Sequence, residues 1–290
     1  MSYVKIFSLS VLLLMSFQYS LAQDGNQEYL KVEMHNGSVY IGVVVSEDDT
    51  TLVLRTDDIG EISLDKSKIK RRESIDHDRI KNGEVWFENP HSTRYLFSTN
   101  GIGLKKGEGY YQNTWIFFNN VNYGITHNFS LGGGLIPTFL FGTTAVPIWI
   151  MPKASIPLVK DNLHAAVGGL FGGVVGGGES FGLGLAYGVL TYGNTDNNLT
   201  FGMGYGYADG TWADIPIFTL SGMVRIKEKL YLISENYFVS ADGSGIGLLS
   251  AALRWSPDNF AVDFGLIRPT DIGGEFIGAP WLGISIPFGR

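Results

Sequence analysis

The chain has 290 residues, 21 basic against 28 acidic, and no cysteine. The acidic balance disfavours a polyanion-binding surface, which needs clustered Lys and Arg, so no nucleic-acid partner is expected. Without thiols there is no disulfide framework, thiolate nucleophile, Cys-ligated zinc site or lipid-anchoring cysteine, so packing and hydrogen bonds alone must stabilise the chain.

Residues 1–22 carry one charge, Lys5, an apolar run from Val11 to Met15, and the small-x-small ending Ser20-Leu21-Ala22 before Gln23. This pattern predicts a secretory signal peptide, too short to span a membrane. Its removal leaves 268 residues with a net charge of −8. The remainder is uneven. Glu28 to Lys81 holds 21 charged residues in 54, whereas Tyr110 to Arg290 holds 20 in 181 together with 30 of the 39 glycines. One solvent does not suit both parts.

Residues 28–75 alternate short Val-, Ile-, Leu- and Tyr-rich runs with turn residues, which predicts strands at 29–34, 38–46, 51–56, 60–64 and 68–73. Asn36-Gly37 between two of them is a hairpin signal, because both residues tolerate positive φ. Five short strands in so few residues predict a small, strongly bent barrel. The stretch Leu30-x-Val32-x-Met34-x-x-Gly37-x-x-Tyr40-x-Gly42, followed by Asp49-x-x-Leu52-x-Leu54, resembles the first motif of the Sm-like family of SH3-type barrels. The resemblance implies a five-stranded SH3/Sm-like fold. The Met-Asn pair through which that family reads RNA is replaced by Thr50-Thr51, and Ile69-Lys70-Arg71 echoes the second motif loosely. A periplasmic docking or spacer module is therefore expected, with a protein partner through residues 28–75. The basic run Lys66–Arg72 reads as a solvated edge, since Glu61, Asp65 and Glu73 surround it.

Residues 76–92 read as a linker closing on the turn signal Asn89-Pro90. Asp76-His77-Asp78 does not read as a metal site, because adjacent side chains diverge on either a helix or a strand.

Residues 128–152 are free of charge and long enough to cross a bilayer as a helix. Pro137, Pro147, Pro152 and four glycines would break that helix. From 180 the period is two: Phe181, Leu183, Leu185, Tyr187 and Val189 alternate with Gly182, Gly184, Ala186 and Gly188. Leu199, Phe201, Met203, Tyr205 and Tyr207 alternate in turn with Thr200, Gly202, Gly204 and Gly206. Large apolar residues facing lipid and small ones facing a lumen predict a transmembrane β-barrel over residues 93–290. Strands are expected near 93–100, 110–121, 128–140, 146–157, 162–174, 180–192, 198–207, 214–226, 229–240, 246–256, 259–268 and 276–288. That count is twelve, with ten as the alternative because the first strand is weakly patterned. The turns at 126–127, 160–161, 194–197, 227–228 and 257–258 then share one end with both ends of the barrel chain, which puts the small domain in the periplasm. Trp115, Trp149, Trp212, Trp255 and Trp281 fall near strand ends, where interfacial girdles belong.

In the expected strands 247–255 and 259–268, joined through Ser256-Pro257-Asp258-Asn259, Arg254 and Asp263 fall roughly diagonal on the inner face. Glu235, in the strand before, is expected near the level of Arg254. Glu235, Arg254 and Asp263 are the candidate lumen-facing residues, lining a pore or bracing the wall as an ion-pair network. The last strand, Pro280, Leu282, Ile284, Ile286 and Phe288, resembles the assembly signal of outer-membrane β-barrels, which implies outer-membrane lipid and the outer-membrane assembly machinery as partners.

Gly178-Glu179-Ser180-Phe181-Gly182 matches a nucleophile elbow in letters. That motif needs a helix after the serine and a histidine downstream, whereas a strand is expected and no histidine follows Ser180. The histidine-x-serine pattern of outer-membrane phospholipases is absent at His127 and His164. No dinucleotide or phosphate-binding glycine motif occurs. No enzyme activity and no cofactor are expected. The leading expectation is passage of a small solute, with inward Gly182, Gly184, Gly188, Gly202, Gly204 and Gly206 leaving room and Glu235, Arg254 and Asp263 polarising it. The alternative is a non-conducting anchor whose periplasmic domain binds a protein or the cell wall, with the lumen filled by bulky residues such as Trp281. A soluble barrel holding an apolar ligand is disfavoured, because it would expose a broad apolar belt to water.

Overall fold

The computed structural model describes residues 28–75, 79–81, 84–177, 182–241, 244–257, 259–273 and 276–289. The predicted leader, the Asp76-His77-Asp78 triplet and Gly178–Phe181 of the elbow motif lie outside them. The chain divides into two compact units, Met1–Phe87 and Glu88–Arg290.

The first unit contains β1 (Tyr29–Met34), β2 (Val39–Glu47), β3 (Thr51–Thr56), β4 (Gly60–Asp65) and β5 (Ile69–Ile75). They form one antiparallel sheet in the order β4-β3-β2-β1-β5, so the last strand returns beside the first. Leu30, Val32, Met34, Leu52, Leu54 and Leu64 alternate inward and make its core. Gly37 takes φ +87° in the first turn, where the Asn36 side chain accepts a bond from the Ser38 N–H. Gly42 lies so close to β3 that a β-carbon there would meet the Arg55 carbonyl at 2.3 Å, which is how a long β2 bends across its neighbour. A two-stranded ladder, β6 (Ile80–Lys81) with β7 (Glu84–Val85), follows.

The second unit is a closed barrel. Its strands are β8 (Gly109–Thr114), β9 (Phe118–Gly124), β10 (Phe129–Leu135), β11 (Val146–Val159), β12 (Leu163–Val175), β13 (Gly182–Gly193), β14 (Asn197–Ala208), β16 (Ile217–Lys227), β17 (Leu230–Ala241), β18 (Ser244–Trp255), β19 (Ala261–Pro269) and β20 (Ala279–Phe288), while β15 (Thr211–Trp212) extends the β14 end. Each wall strand pairs antiparallel with its neighbours, and β20 closes on β8 from Gly283↔Thr114 to Phe288↔Gly109. The ring of wall strands is thereby closed on itself. No helix among the described residues is long and apolar enough to cross a membrane.

The wall has the twelve strands expected, but by a different division. Residues 93–100 form no strand; only an isolated bridge joins Arg94 to Thr99. The missing strand comes from 110–121, which breaks at Trp115-Ile116-Phe117 into β8 and β9. Trp115 and Ile116 hold φ +49° and +69°, and the Asn113 side chain closes the turn on the Ile116 carbonyl at 2.8 Å.

On β20, Leu282, Ile284, Ile286 and Phe288 are exposed while Trp281 and Ser285 are buried. The same alternation on β14 and β19 exposes Leu199, Phe201, Met203, Phe264 and Leu266. An exposed apolar belt of this breadth is stable against acyl chains, and we read the barrel as membrane-spanning.

One strand is reversed relative to expectation. On β14, Gly202 and Gly204 face inward as expected, but β13 is paired so that Gly188 lies opposite Met203, Val189 opposite Gly202 and Tyr187 opposite Gly204. Paired residues share a face, so Leu185, Tyr187 and Val189 point into the lumen and Gly184 and Gly188 point outward. Each glycine thus sits across from a large side chain, and the two strands fill each other's gaps. Trp149 and Trp281 also turn inward rather than joining a girdle: Trp281 is buried, and the Trp149 indole donates to Asn120 at 2.6 Å.

Candidate functional site: the filled lumen

Residues 88–105 enter the barrel at the end carrying the short turns and return to it before β8. Composition places 88–92 in the linker, yet Asn89 and His91 are fully buried within the barrel unit. At the tip the chain turns sharply, with the Tyr95 N–H on the Ser98 carbonyl and the Asn100 N–H on the Thr93 carbonyl. Other main-chain groups are satisfied by the segment's own side chains, as where Asn89 and Asn100 accept the His91 and Ile102 N–H groups, or by side chains of the wall. This explains why a strand-like sequence makes no strand: side chains, not a neighbouring backbone, supply its partners.

Glu235 on β17 is buried, and its Oε2 accepts the N–H groups of Leu96, Phe97 and Ser98 at 2.8, 3.0 and 3.0 Å. Three converging donors around one carboxylate oxygen form an anion nest built by the tip turn. Oε1 accepts from the Tyr237 hydroxyl at 2.6 Å. Arg254 and Asp263 are directly paired across β18 and β19 rather than diagonal. The Arg254 Nε–Asp263 Oδ1 and Nη2–Oδ2 distances are 2.5 and 3.0 Å. Glu235 is not at their level: the residue of β17 opposite Arg254 is Tyr231, four positions away, or about 13 Å along a strand.

What sequence reasoning missed is Arg94. Its side chain is buried beside Asp263, Nη1 to Oδ2 at 3.0 Å, and Nη2 donates to Ser285 Oγ at 2.5 Å. Two guanidiniums therefore share one carboxylate, and the surplus positive charge rests on carbonyl oxygens. Arg254 Nη2 donates to the Tyr95 carbonyl at 2.5 Å, and Arg94 Nη1 to the same oxygen at 2.9 Å. Nothing in the 93–100 pattern marks Arg94 as inward, because a charged residue in a short alternating run reads as the solvated face.

The rest of the inserted segment is held all round. Gln112 of β8 donates to the Leu96 carbonyl at 2.6 Å, Lys153 of β11 to the Ile102 carbonyl at 2.6 Å, and the Gly101 N–H to Thr191 of β13 at 2.7 Å. The Tyr95 hydroxyl lies 2.6 Å from both Asn198 and Thr200 of β14. Tyr95 and Leu96 also pack with Met223, Tyr231, Ile233, Ala252 and Trp281 in a buried apolar cluster. Glu235, Arg254 and Asp263 thus all face inward and are covered by residues 88–105.

The class of protein this defines is a membrane-type, twelve-stranded antiparallel barrel whose lumen is filled by the segment preceding its first strand. No family model matches the sequence, and no curated protein matches it. Among solved structures, the chain is similar to a KdgM porin in complex with disordered oligogalacturonate, with TM-score 0.45 and 7% identity over 62% of this chain and 98% of that one. It is also similar to the in-vitro folded OmpT, an outer membrane protein of Vibrio cholerae, with TM-score 0.31 and 10% identity over 90% of this chain and 95% of that one.

Proposed function

We propose that the chain is a non-conducting outer-membrane anchor, its barrel closed by residues 88–105, that carries residues 28–75 as a periplasmic module for a protein or cell-wall partner. The observation that carries this reading is the Glu235 nest: a buried carboxylate satisfied by three N–H groups of the inserted turn fixes that turn inside the lumen. A fixed filling is what an anchor needs and a pore does not. The short turns at the end where the chain enters support its periplasmic orientation, with the longer connections 136–145 and 270–278 at the other end. The return of β5 beside β1 supports the SH3/Sm-like reading of the module. No catalysis is assigned to it.

Passage of a small solute is the second reading, favoured by a cavity of about 160 Å³ beside Phe97, Ser98 and Thr99 at the tip of the inserted segment. Conduction would then require the segment to leave. The test is single-channel recording of refolded residues 23–290 in a planar bilayer. Silence from protein shown to be folded and inserted is expected; steady, stepwise currents with salt-dependent selectivity would establish passage instead. Deletion of residues 28–75 is expected to spare barrel assembly while abolishing the cellular phenotype.

A further inference from the structure

We propose that the lumenal cavity beside Lys153 binds an amphipathic carboxylate, an acyl chain ending in a single negative charge. The inference does not rest on whether the lumen conducts.

Among the described residues, one buried cation of the barrel lacks a carboxylate partner. Four cationic side chains are buried there among the described residues, Lys153 included: Arg94 and Arg254 share Asp263, and Arg225 pairs with Asp196 at 3.0 Å. Lys153 has no carboxylate partner among the described residues; its ammonium donates to one carbonyl, that of Ile102. A buried ammonium carries three donors, and leaving it without an anion is costly. The other buried carboxylate, Glu235, is committed to the nest and to Tyr237. Among the described residues no carboxylate is left for Lys153, and an anionic ligand would supply one.

The cavity at Lys153 also has the right asymmetry. One part of its lining, from β8 and β9, carries the amides of Gln112, Asn120 and Asn122; another, from β12 and β13, carries Leu170, Leu185 and Val189. An inorganic anion would leave the second part wet, and a sugar would leave it unmatched. A neutral lipid tail would leave Lys153 unpaired. A monocarboxylate with an acyl chain satisfies both parts with one charge. Its head would lie against the group that holds Ile102, so the ligand and the inserted segment meet at Lys153.

The experiment is calorimetric titration of residues 23–290 in phosphatidylcholine nanodiscs, corrected against empty nanodiscs, with hexanoate, hexanol and acetate, a six-carbon chain being on the scale of the cavity. Hexanoate should saturate at one per chain. Hexanol and acetate, each lacking one half of the recognition, should bind about tenfold more weakly or worse, the scale of one charge-assisted hydrogen bond or of the buried chain. Lys153→Met should weaken hexanoate by a similar factor and leave hexanol unchanged, while Lys153→Arg should retain hexanoate. Equal binding of hexanoate and hexanol by the unaltered protein overturns the proposal even if the variants fail to fold. So does an unchanged hexanoate affinity in a folded Lys153→Met. Acetate binding as tightly as hexanoate overturns the acyl half.

Discussion

Glu235 and Leu96 stand 139 positions apart in sequence and meet at 2.8 Å, carboxylate oxygen on main-chain N–H, in the middle of a closed barrel. Removing that carboxylate strands three donors, the buried Leu96 N–H at about 1–3 kcal/mol and the half-buried Phe97 and Ser98 N–H groups at less. Glu235→Ala should therefore loosen the 96–98 turn and produce flickering current steps absent from the parent. Glu235→Gln, which keeps an acceptor oxygen but not the charge, should fall between the two. Planar-bilayer recording of the three proteins side by side checks the order.

Arg254, Asp263 and Arg94 behave as one unit, and the cost of cutting it depends on what is left behind. Arg254→Ala leaves Asp263 still paired with Arg94, whereas Asp263→Ala leaves two guanidiniums without a counter-charge. Breaking a buried pair costs about 3–5 kcal/mol, and Asp263→Ala should lie at or above the top of that range. The temperature at which the folded band disappears in a heat-modifiability gel should fall further for Asp263→Ala than for Arg254→Ala. The double variant should lose less than the sum.

The glycines of β13 and β14 give a test of which way each strand faces. A β-carbon at Gly188 meets nothing within 4 Å, while one at Gly202 would sit 2.4 Å from Thr219 Oγ1 and 2.9 Å from the Val189 side chain. Gly188→Leu adds an apolar group to the lipid face and should leave folded yield in lipid vesicles within about 0.5 kcal/mol of the parent. Gly202→Leu should sharply reduce that yield. The opposite result would place Gly188 inside.

That reversal shows what could be read in advance. Period two was legible wherever large and small residues alternate, and it located most of the wall. Which face is inward was legible on β19, where Asp263 opposes Phe264, and not on β13. There the small partners are glycine and alanine, which suit lipid and lumen alike, and only pairing with β14 settles the matter. The break at Trp115-Ile116 was hidden because positive φ falls on residues that do not advertise turns. The inserted segment was hidden for a related reason: its hydrogen-bond partners lie far away in sequence. Arg254 and Asp263 were legible as inward charges because they share the polar face of clear strands, whereas their third partner, Arg94, lies in a segment whose pattern mimics a strand.

The small sheet carries an acid-sensitive contact of its own. Glu47 at the end of β2 accepts from Arg72 at 2.8 Å and lies 2.7 Å from the Lys66 ammonium, and these partners hold its carboxyl down to about 2. A carboxylate depressed in the folded state stabilises fully above its ordinary value, near 4.5, and loses that contribution as pH falls toward the folded value. Carbon-13 NMR of glutamate-labelled protein should show Glu47 still ionised near pH 3, when exposed glutamates are protonated. Glu47→Gln should flatten the stability profile of this unit between about pH 4.5 and 2.

The inserted segment precedes the barrel, yet Arg94 finds its acid 169 positions later on β19 and its hydroxyl 191 positions later on β20. Those strands are the last to be made, and β20 is the one that zips onto β8. Until the final hairpin is in place Arg94 has no counter-charge, and once the seam has shut the segment has no side entrance. Seating of Arg94 can therefore occur only in a chain that has been completed to its last strand, and after closure the way in is the barrel end through which the segment already passes.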